Sequence, residues 1–278
     1  MIKIATWNVN SIRARIVNFL EWINIHRPEV ILIQELKCTE NEFPRIELEC
    51  LGYDIKVLGQ KGKNGVAILS KIPLENVEHN LPLYGIVESD SDSRYLEAQF
   101  SYNGKMIKVA SIYLPNGGPT AEDARNNIKD ALSTDSFKRK MKFCDRLKIK
   151  FQESIDNNEM AFFCGDYNVC PDLYKDVWTP KKDGAITCTK EEREKFKSFL
   201  DIGMIDVWRN LNPDLIDYSW WGYRPHYMWE KNLGYRLDAI LATQQAKNLV
   251  KRCDIYAKET RGKDKASDHV PMMCEIEI

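Results

Sequence analysis

The segment AFFCGDYNV, residues 161–169, runs apolar side chains and a glycine straight into Asp166, Tyr167 and Asn168. A short apolar run bounded by a turn signal reads as a strand buried on both faces. Asp, Asn and Gly are also common turn formers, so this stretch alone fits a turn as well as a reactive edge. The arrangement recurs, however. KIATWNVN delivers Asn8, VILIQELK delivers Gln34 and Glu35, and VASIYLPNG ends in Tyr113, Pro115 and Asn116. YRLDAIL places Asp238 inside an apolar run, and KASDHVPMM sets Asp268 and His269 just before the last one. Each residue singly has an ordinary structural explanation: a turn for Asn8, a surface carboxylate for Glu35, core for Tyr113, an ion pair with Arg236 for Asp238, a loop for Asp268 and His269.

Taken together those explanations share an energetic problem. If Glu35, Asp166, Asp238 and Asp268 meet at one edge of a packed core, each buried carboxylate costs several kcal/mol unless paired. Their like charges also push one another's pKa upward. A divalent cation relieves both penalties. The histidines, at 26, 79, 226 and 269, form no H-x-x-x-H pair, and the available donors are nearly all oxygens. That set favours Mg²⁺, with Mn²⁺ as a substitute, over Zn²⁺.

The elements that must position these groups follow from periodicity. Strand-like segments are expected at 2–8, 29–35, 65–70, 95–101, 105–114, 161–166, 236–242 and 270–277, and helices near 12–26, 121–132, 137–156 and 190–202. Thr120 with Asp123, and Thr189 with Glu192, make capping-box patterns at two helix starts. Gly203 is a plausible stop for the last helix. Strands and helices interleave without strict β-α-β alternation, which suits two face-to-face sheets with helices outside. No repeat or linker divides the chain, so residues 1–278 are expected to form one domain.

Bulk properties narrow the class. Hydrophobic residues make up 44% and charged residues 29%, ordinary for a globular protein. No stretch is long and apolar enough for a membrane helix, and the start of the chain reads as strand rather than targeting segment. A cytoplasmic, membrane-free protein is therefore expected. The eight cysteines form no C-x-x-C pair and are expected to be reduced. Net charge is −1, so any nucleic-acid binding needs local positive charge. Three basic clusters exist, at 59–65, 138–150 and 258–265. In 138–150, Phe137, Met141, Cys144, Leu147 and Phe151 suggest a helical stripe that turns the lysines outward, whereas the other two read as loops able to meet a phosphate backbone.

With these residues assembled, the chain resembles the exonuclease III family of Mg²⁺-dependent abasic-site endonucleases, within the endonuclease/exonuclease/phosphatase superfamily. The matching segments WNVN, LIQELK, GQKGKNGVAIL, YLPNG, GDYNV, YSWWGYR, YRLDAIL and SDHVP fall in family order along essentially the whole chain. The resemblance implies an α/β, four-layered sandwich of two packed mixed β-sheets flanked by helices (DNase I-like), with the active site at one edge. It implies metal ligation by Glu35 with Asn8 beside it, and a metal neighbourhood including Asp166, Asn168, Asp268 and His269. It further implies Asp166 as the group that activates or positions water, Asn168 as phosphate holder, and Tyr113 and Asn116 as phosphate or leaving-group contacts. Asp238 would orient His269, which polarises the phosphate, while Lys37 and Arg94 lie near the site. Trp220, Tyr235 and Leu237 would line a pocket for a flipped abasic sugar, with one of Trp220 and Trp221 in the pocket and the other in the core. Leu36 and Tyr167 depart from the residues common in the family, but both are spacers. The implied partner is double-stranded DNA with abasic sites or blocked 3′ ends, bound by a monomer. A phosphatase of the same superfamily acting on another phosphorylated substrate, and a non-catalytic nucleic-acid-binding module, are the competing readings. The first lacks an apolar membrane-binding loop here, and the second is disfavoured by the intact set Glu35, Asp166, Asn168, Asp238 and His269.

Overall fold

Uninterrupted apolar runs become the inner strands of the computed structural model, which describes residues 1–121, 123 and 130–278. In chain order the strands are β1 (Ile2–Asn8), β2 (Val30–Gln34), β3 (Asp54–Leu58), β4 (Val66–Ser70), β5 (Glu75–His79), β6 (Tyr95–Tyr102), β7 (Lys105–Tyr113), β8 (Met160–Asp166), β9 (Ile205–Asp206), β10 (Asp238–Ala242), β11 (Val250–Ile255) and β12 (Met272–Ile276). They form two six-stranded sheets, ordered β11-β12-β1-β2-β4-β3 and β5-β6-β7-β8-β10-β9. Sequence reading finds the inner strands and misses β3, β5, β9 and β11, all outside the sheet centres. There, partly exposed positions dilute the apolar signal, as in the exposed run of β5.

Side chains alternate between the two faces of each strand. Ile4, Leu32 and Ile68 of the first sheet meet Val109, Phe162 and Ile240 of the second in the central core. On the first sheet's outer face, Trp7, Ile31 and Ile33 pack under Phe19, Trp22 and Ile23 of the helix Ile12–His26. On the second sheet's outer face, Ala110, Phe163 and Leu241 meet Phe143, Leu147 and Phe151 of the helix Asp135–Asp156, with Phe196 and Phe199 of the helix Lys190–Asp201. The result is a four-layered sandwich.

Chain direction then places the chemistry. β1 runs parallel to β2, and β7 parallel to β8, while all other pairs are antiparallel. Each sheet therefore carries two neighbouring carboxyl ends at its centre, finishing at Asn8 and Gln34 in one and at Tyr113 and Asp166 in the other. The two centres are tied by Gln34, whose Nε2 donates to Ser111 Oγ at 2.9 Å, and by that hydroxyl donating to the Ile33 carbonyl at 2.9 Å. Gly165 (φ 154°) makes the β7–β8 contact feasible, because a Cβ there would lie 1.9 Å from the Ile112 carbonyl oxygen.

The helix Asp135–Asp156 turns Lys138, Arg139 and Lys142 outward as expected, but not its other basic residues. Lys140, Arg146 and Lys150 are buried, whereas Met141 is only half-buried. Carboxylates at the helix margin explain the difference: Arg146 meets the half-buried Asp90 at 2.6 Å, and Lys150 reaches the exposed Glu78 and the buried Glu97 at 3.0 and 3.3 Å. The helix expected at 121–132 lies largely outside the described residues. Its start shows the anticipated cap, with the Thr120 amide donating to Asp123 at 2.6 Å. All eight cysteines are free. Among the described residues no helix is long and apolar enough to cross a membrane.

Candidate active site

Asp166 ends β8 and is 1% exposed. Its carboxylate is held from both sheets. Oδ2 accepts from Asn8 Nδ2 at 2.9 Å and from Asn168 Nδ2 at 3.1 Å, and Oδ1 accepts the Asn168 amide at 2.8 Å. That last bond needs a tight reversal of the chain, and Asn168 adopts φ 50°, a left-handed conformation that asparagine tolerates better than most residues. The Asn168 side chain is fully engaged, donating to the Leu114 carbonyl at 3.0 Å and accepting from Asn116 Nδ2 at 3.0 Å.

β10 runs antiparallel to β8, so its first residue, Asp238, sits opposite Asp166. Asp238 Oδ2 lies 2.8 Å from His269 Nδ1, and His269 Nε2 lies 3.6 Å from Asp166 Oδ2. The imidazole thus stands between two buried carboxylates. Burial pulls the His269 pKa down, but the charges of Asp238 and then Asp166 outweigh it and lift the ring to about 10. Asp166 is pushed up to about 7, chiefly by burial and then by the Asp238 charge, with the imidazolium and the Asn8 bond opposing. Ser219 Oγ accepts the amides of Leu237 and Asp238, each at 3.0 Å, which fixes the turn that aims Asp238 inward.

Glu35 follows β2 with φ 58° and carries a partly exposed carboxylate 2.8 Å from Lys37 Nζ. Tyr113 stays protonated, since burial raises its pKa well above the usual value and the charges of Glu35 and Asp166 add to that. The Arg94 guanidinium lies 4.7 Å from the Tyr113 ring centroid and donates to the Tyr113 carbonyl at 3.2 Å. Asp268 has both oxygens occupied, Oδ1 by Asn10 Nδ2 at 2.8 Å and Oδ2 by Trp220 Nε1 at 3.0 Å. Burial would raise its pKa, but the His269 charge and these two bonds hold it below the usual carboxylate range.

These groups line one cavity of about 390 Å³. Its walls comprise Glu35, Tyr113, Asn116, Asp166, Asn168, Asp268 and His269 together with Ile186, Thr187, Trp220, Tyr235 and Leu237. Asn8 and Asp238 stand one bond behind Asp166 and His269, Lys37 beside Glu35, and Arg94 against Tyr113. The Trp220 and Tyr235 rings meet edge to face, 5.2 Å apart, while Trp221 is buried against Tyr218 and Val270. One tryptophan therefore faces the cavity and the other the core.

The donor set suits a hard cation. Asp166, Asp238 and His269 offer ligand atoms within 4.8 Å of one another, and Asp238 Oδ1 is buried with no hydrogen-bond partner. Such an orphaned carboxylate oxygen calls for positive charge nearby. A protonated His269 is a donor and not a ligand, so the oxygens of Glu35 and Asp166 are the better candidates for ligation. Asp268, expected in the metal neighbourhood, lines the cavity but spends both oxygens on orienting Asn10 and Trp220.

Sequence reasoning missed Asn10, which bridges Lys37 and Asp268, and the supporting Ser219. It also missed Thr187, a β-branched wall residue at φ 74°. Asn10 and Ser219 lie within the quoted segments WNVN and YSWWGYR, yet nothing in their spacing distinguishes them from turn residues.

The fold and site define the class. The endonuclease/exonuclease/phosphatase family model matches residues 5–269, and the chain belongs to that family. Among its relatives, exodeoxyribonuclease III of Haemophilus influenzae is 29% identical over 286 residues, covering 99% of this chain and 100% of that protein. The structure of an AP endonuclease from Archaeoglobus fulgidus superposes with TM-score 0.87 at 31% identity, and a Neisseria 3′ phosphatase bound to product DNA hairpin with TM-score 0.87 at 28% identity. Both alignments cover 100% of each chain.

Proposed function

We propose that this protein is a DNA-repair nuclease that hydrolyses the phosphodiester 5′ to abasic sites in duplex DNA. On blocked or recessed 3′ ends it acts as a 3′→5′ exonuclease and 3′-phosphatase or phosphodiesterase. The observation that carries the reading is a cavity of about 390 Å³ with Asp166, Asn168 and His269 on one side and Trp220, Tyr235 and Leu237 on the other. A phosphodiester-cleaving set thus faces a compact, partly apolar recess. A base-free deoxyribose unstacks cheaply and fits such a recess, which selects it over an intact nucleotide.

The residues divide the work by their surroundings. Asp166, held by Asn8 and Asn168, orients the attacking water. His269, kept charged by Asp238, donates from Nε2 to a phosphate oxygen. Asn116 and Asn168 hold the phosphate, and Tyr113 stays protonated to donate toward it. Glu35, with Asn8 and Asp166 beside it, would hold Mg²⁺ or, as substitute, Mn²⁺. The ion, when bound, neutralises phosphoryl charge and stabilises the departing oxygen. Lys37 and Arg94 set the position of Glu35 and Tyr113. The whole chain acts as one domain and a monomer, in the reducing cytoplasm that its free cysteines suit.

The test is a duplex bearing a single tetrahydrofuran abasic analogue, incubated with Mg²⁺ and with EDTA. A metal-dependent nick 5′ to the analogue is expected, and its absence removes the proposal. Parallel rates on 3′-phosphate and undamaged recessed ends give the balance of activities.

A further inference from the structure

Behind the cavity lies an ion pair that the chemistry above does not use. Lys140 and Glu192 are both 0% exposed and joined by a short contact between Nζ and Oε1. Lys140 comes from the second turn of the helix Asp135–Asp156, and Glu192 from the first turn of the helix Lys190–Asp201. The remaining donors of Lys140 reach the carbonyl oxygens of Asn116, at 3.0 Å, and Asn168, at 2.7 Å. Those are the backbones of the two cavity amides. Glu192 Oε1 also accepts the amide of Thr187 at 3.1 Å, and Oε2 caps its own helix through Thr189, at 2.9 Å to the amide and 2.8 Å to the hydroxyl.

All three ammonium protons are satisfied, and both carboxylate oxygens are engaged. Three separate wall segments, at Asn116, Asn168 and Thr187, thereby converge on one buried pair. Other bonds tie these segments in pairs, Asn116 Nδ2 to Asn168 Oδ1 at 3.0 Å and the Cys170 amide to the Thr187 carbonyl at 2.7 Å, whereas the ion pair joins all three. Asn168 and Thr187 both sit at positive φ, a costly state for the β-branched Thr187. Gly117 follows Asn116, and a Cβ there would lie 2.8 Å from Lys140 Cδ, so the chain is drawn against the lysine stem. Two apolar side chains would avoid burying the charges but would leave the carbonyls of Asn116 and Asn168 and the amide of Thr187 without partners, so what the ion pair supplies is the placement of these backbone groups.

We propose that Lys140 and Glu192 are positioning residues: the pair sets the cavity-facing amides of Asn116 and Asn168 and the wall at Thr187 in the geometry that holds the scissile phosphate. The inference rests on the proposed nuclease reading. Lys140→Met leaves Glu192 buried without a counter-charge and can fail through folding, so the informative variant is Lys140→Met with Glu192→Leu, in which both charges go together. If that chain does not fold, Lys140→Met with Glu192→Gln keeps an oxygen to cap the helix and gives the same readout.

On the abasic-analogue duplex with Mg²⁺, the double variant is expected to lose about 100-fold in kcat, as for an ångström-scale misplacement. Its affinity for uncleaved duplex in EDTA should stay close to the parent's, while its thermal midpoint falls because the carbonyls of Asn116 and Asn168 and the amide of Thr187 lose their buried partners, so rates are compared below that midpoint. In an Asn168→Ala background the same pair of changes should cost less than in the parent, because one of the groups being positioned is gone. A folded double variant with parental kcat overturns the inference, as does a kcat loss that is fully additive with Asn168→Ala. A parent protein that cleaves no abasic duplex overturns the nuclease reading instead, so the two failures are separable.

Discussion

Asp238 is 2% exposed and lies 2.8 Å from His269 Nδ1. The pair is a device for holding an imidazolium in a buried cavity. Asp238→Asn removes the largest charge sustaining it, so burial gains weight and the His269 pKa drops from about 10 by more than about one unit. Imidazole ¹⁵N shifts followed against pH in the metal-free protein measure this directly. Turnover on abasic duplex should fall by roughly 10²–10⁴, the usual worth of a positioned proton donor. The linkage signs differ between the two neighbours. His269 has its folded pKa raised from 6.5 to about 10, so its stabilising contribution is complete below pH 6.5 and is lost as pH rises through 10. Asp166, raised from 3.8 to about 7, penalises folding as it ionises over that interval. Urea unfolding of the metal-free protein should show both slopes, and Asp238→Asn should flatten the alkaline one. Glu35→Gln is the matching test of the metal side: Mg²⁺-dependent turnover should fall by at least about 10², while DNA binding in EDTA persists.

At the scale of elements, the site depends on two strand pairs ending together. Gly165→Ala tests this, because the added methyl would meet the Ile112 carbonyl and force β7 and β8 apart exactly where Tyr113 pairs with Asp166. A loss above about 2 kcal/mol in urea unfolding is expected, of the size seen when backbone geometry is violated. The surface loops contribute differently. Lys61 and Lys265 are exposed on loops and Lys258 on the short helix Ala257–Thr260, where a loop is expected, whereas the third cluster, on the helix Asp135–Asp156, buries Lys140, Arg146 and Lys150 in internal ion pairs and hydrogen bonds. Neutralising one exposed lysine that meets a phosphate should reduce the slope of log K against log salt by about 0.9, with little change in kcat. Binding isotherms at several salt concentrations measure it.

At the scale of the whole molecule, a further buried charge cluster surrounds Arg236. Arg236 is 1% exposed and pinned by Asp176, at 2.7 and 3.0 Å, and by Asp206, at 2.8 Å. Burial would raise the Asp176 pKa, but Arg236 and Arg209 hold it below the ordinary value. Its contribution to stability is therefore present above pH 3.8 and is lost as pH falls through the depressed value. Asp176→Ala leaves Arg236 short of its main partner and should cost about 3–5 kcal/mol by denaturant unfolding. The acid limb of the stability profile should become shallower in the same variant.

Local chemistry in the sequence was enough to mark the inner strands, the capping of the helix Lys190–Asp201 and the cavity residues, because a carboxylate or amide at the end of an apolar run is costly wherever the run folds. The pairing of Asp238 with His269 was implied only by the family resemblance, and nothing in the sequence told that the neighbouring Arg236 turns to Asp176 and Asp206. Nor could it assign the lysines of one amphipathic helix to buried acceptors. Those outcomes depend on which groups from distant segments arrive within about 3 Å, and hydrogen bonds and ion pairs fall off steeply beyond that. Residue types state what each segment needs, and only the packing of two sheets and their covering helices decides which partner meets the need.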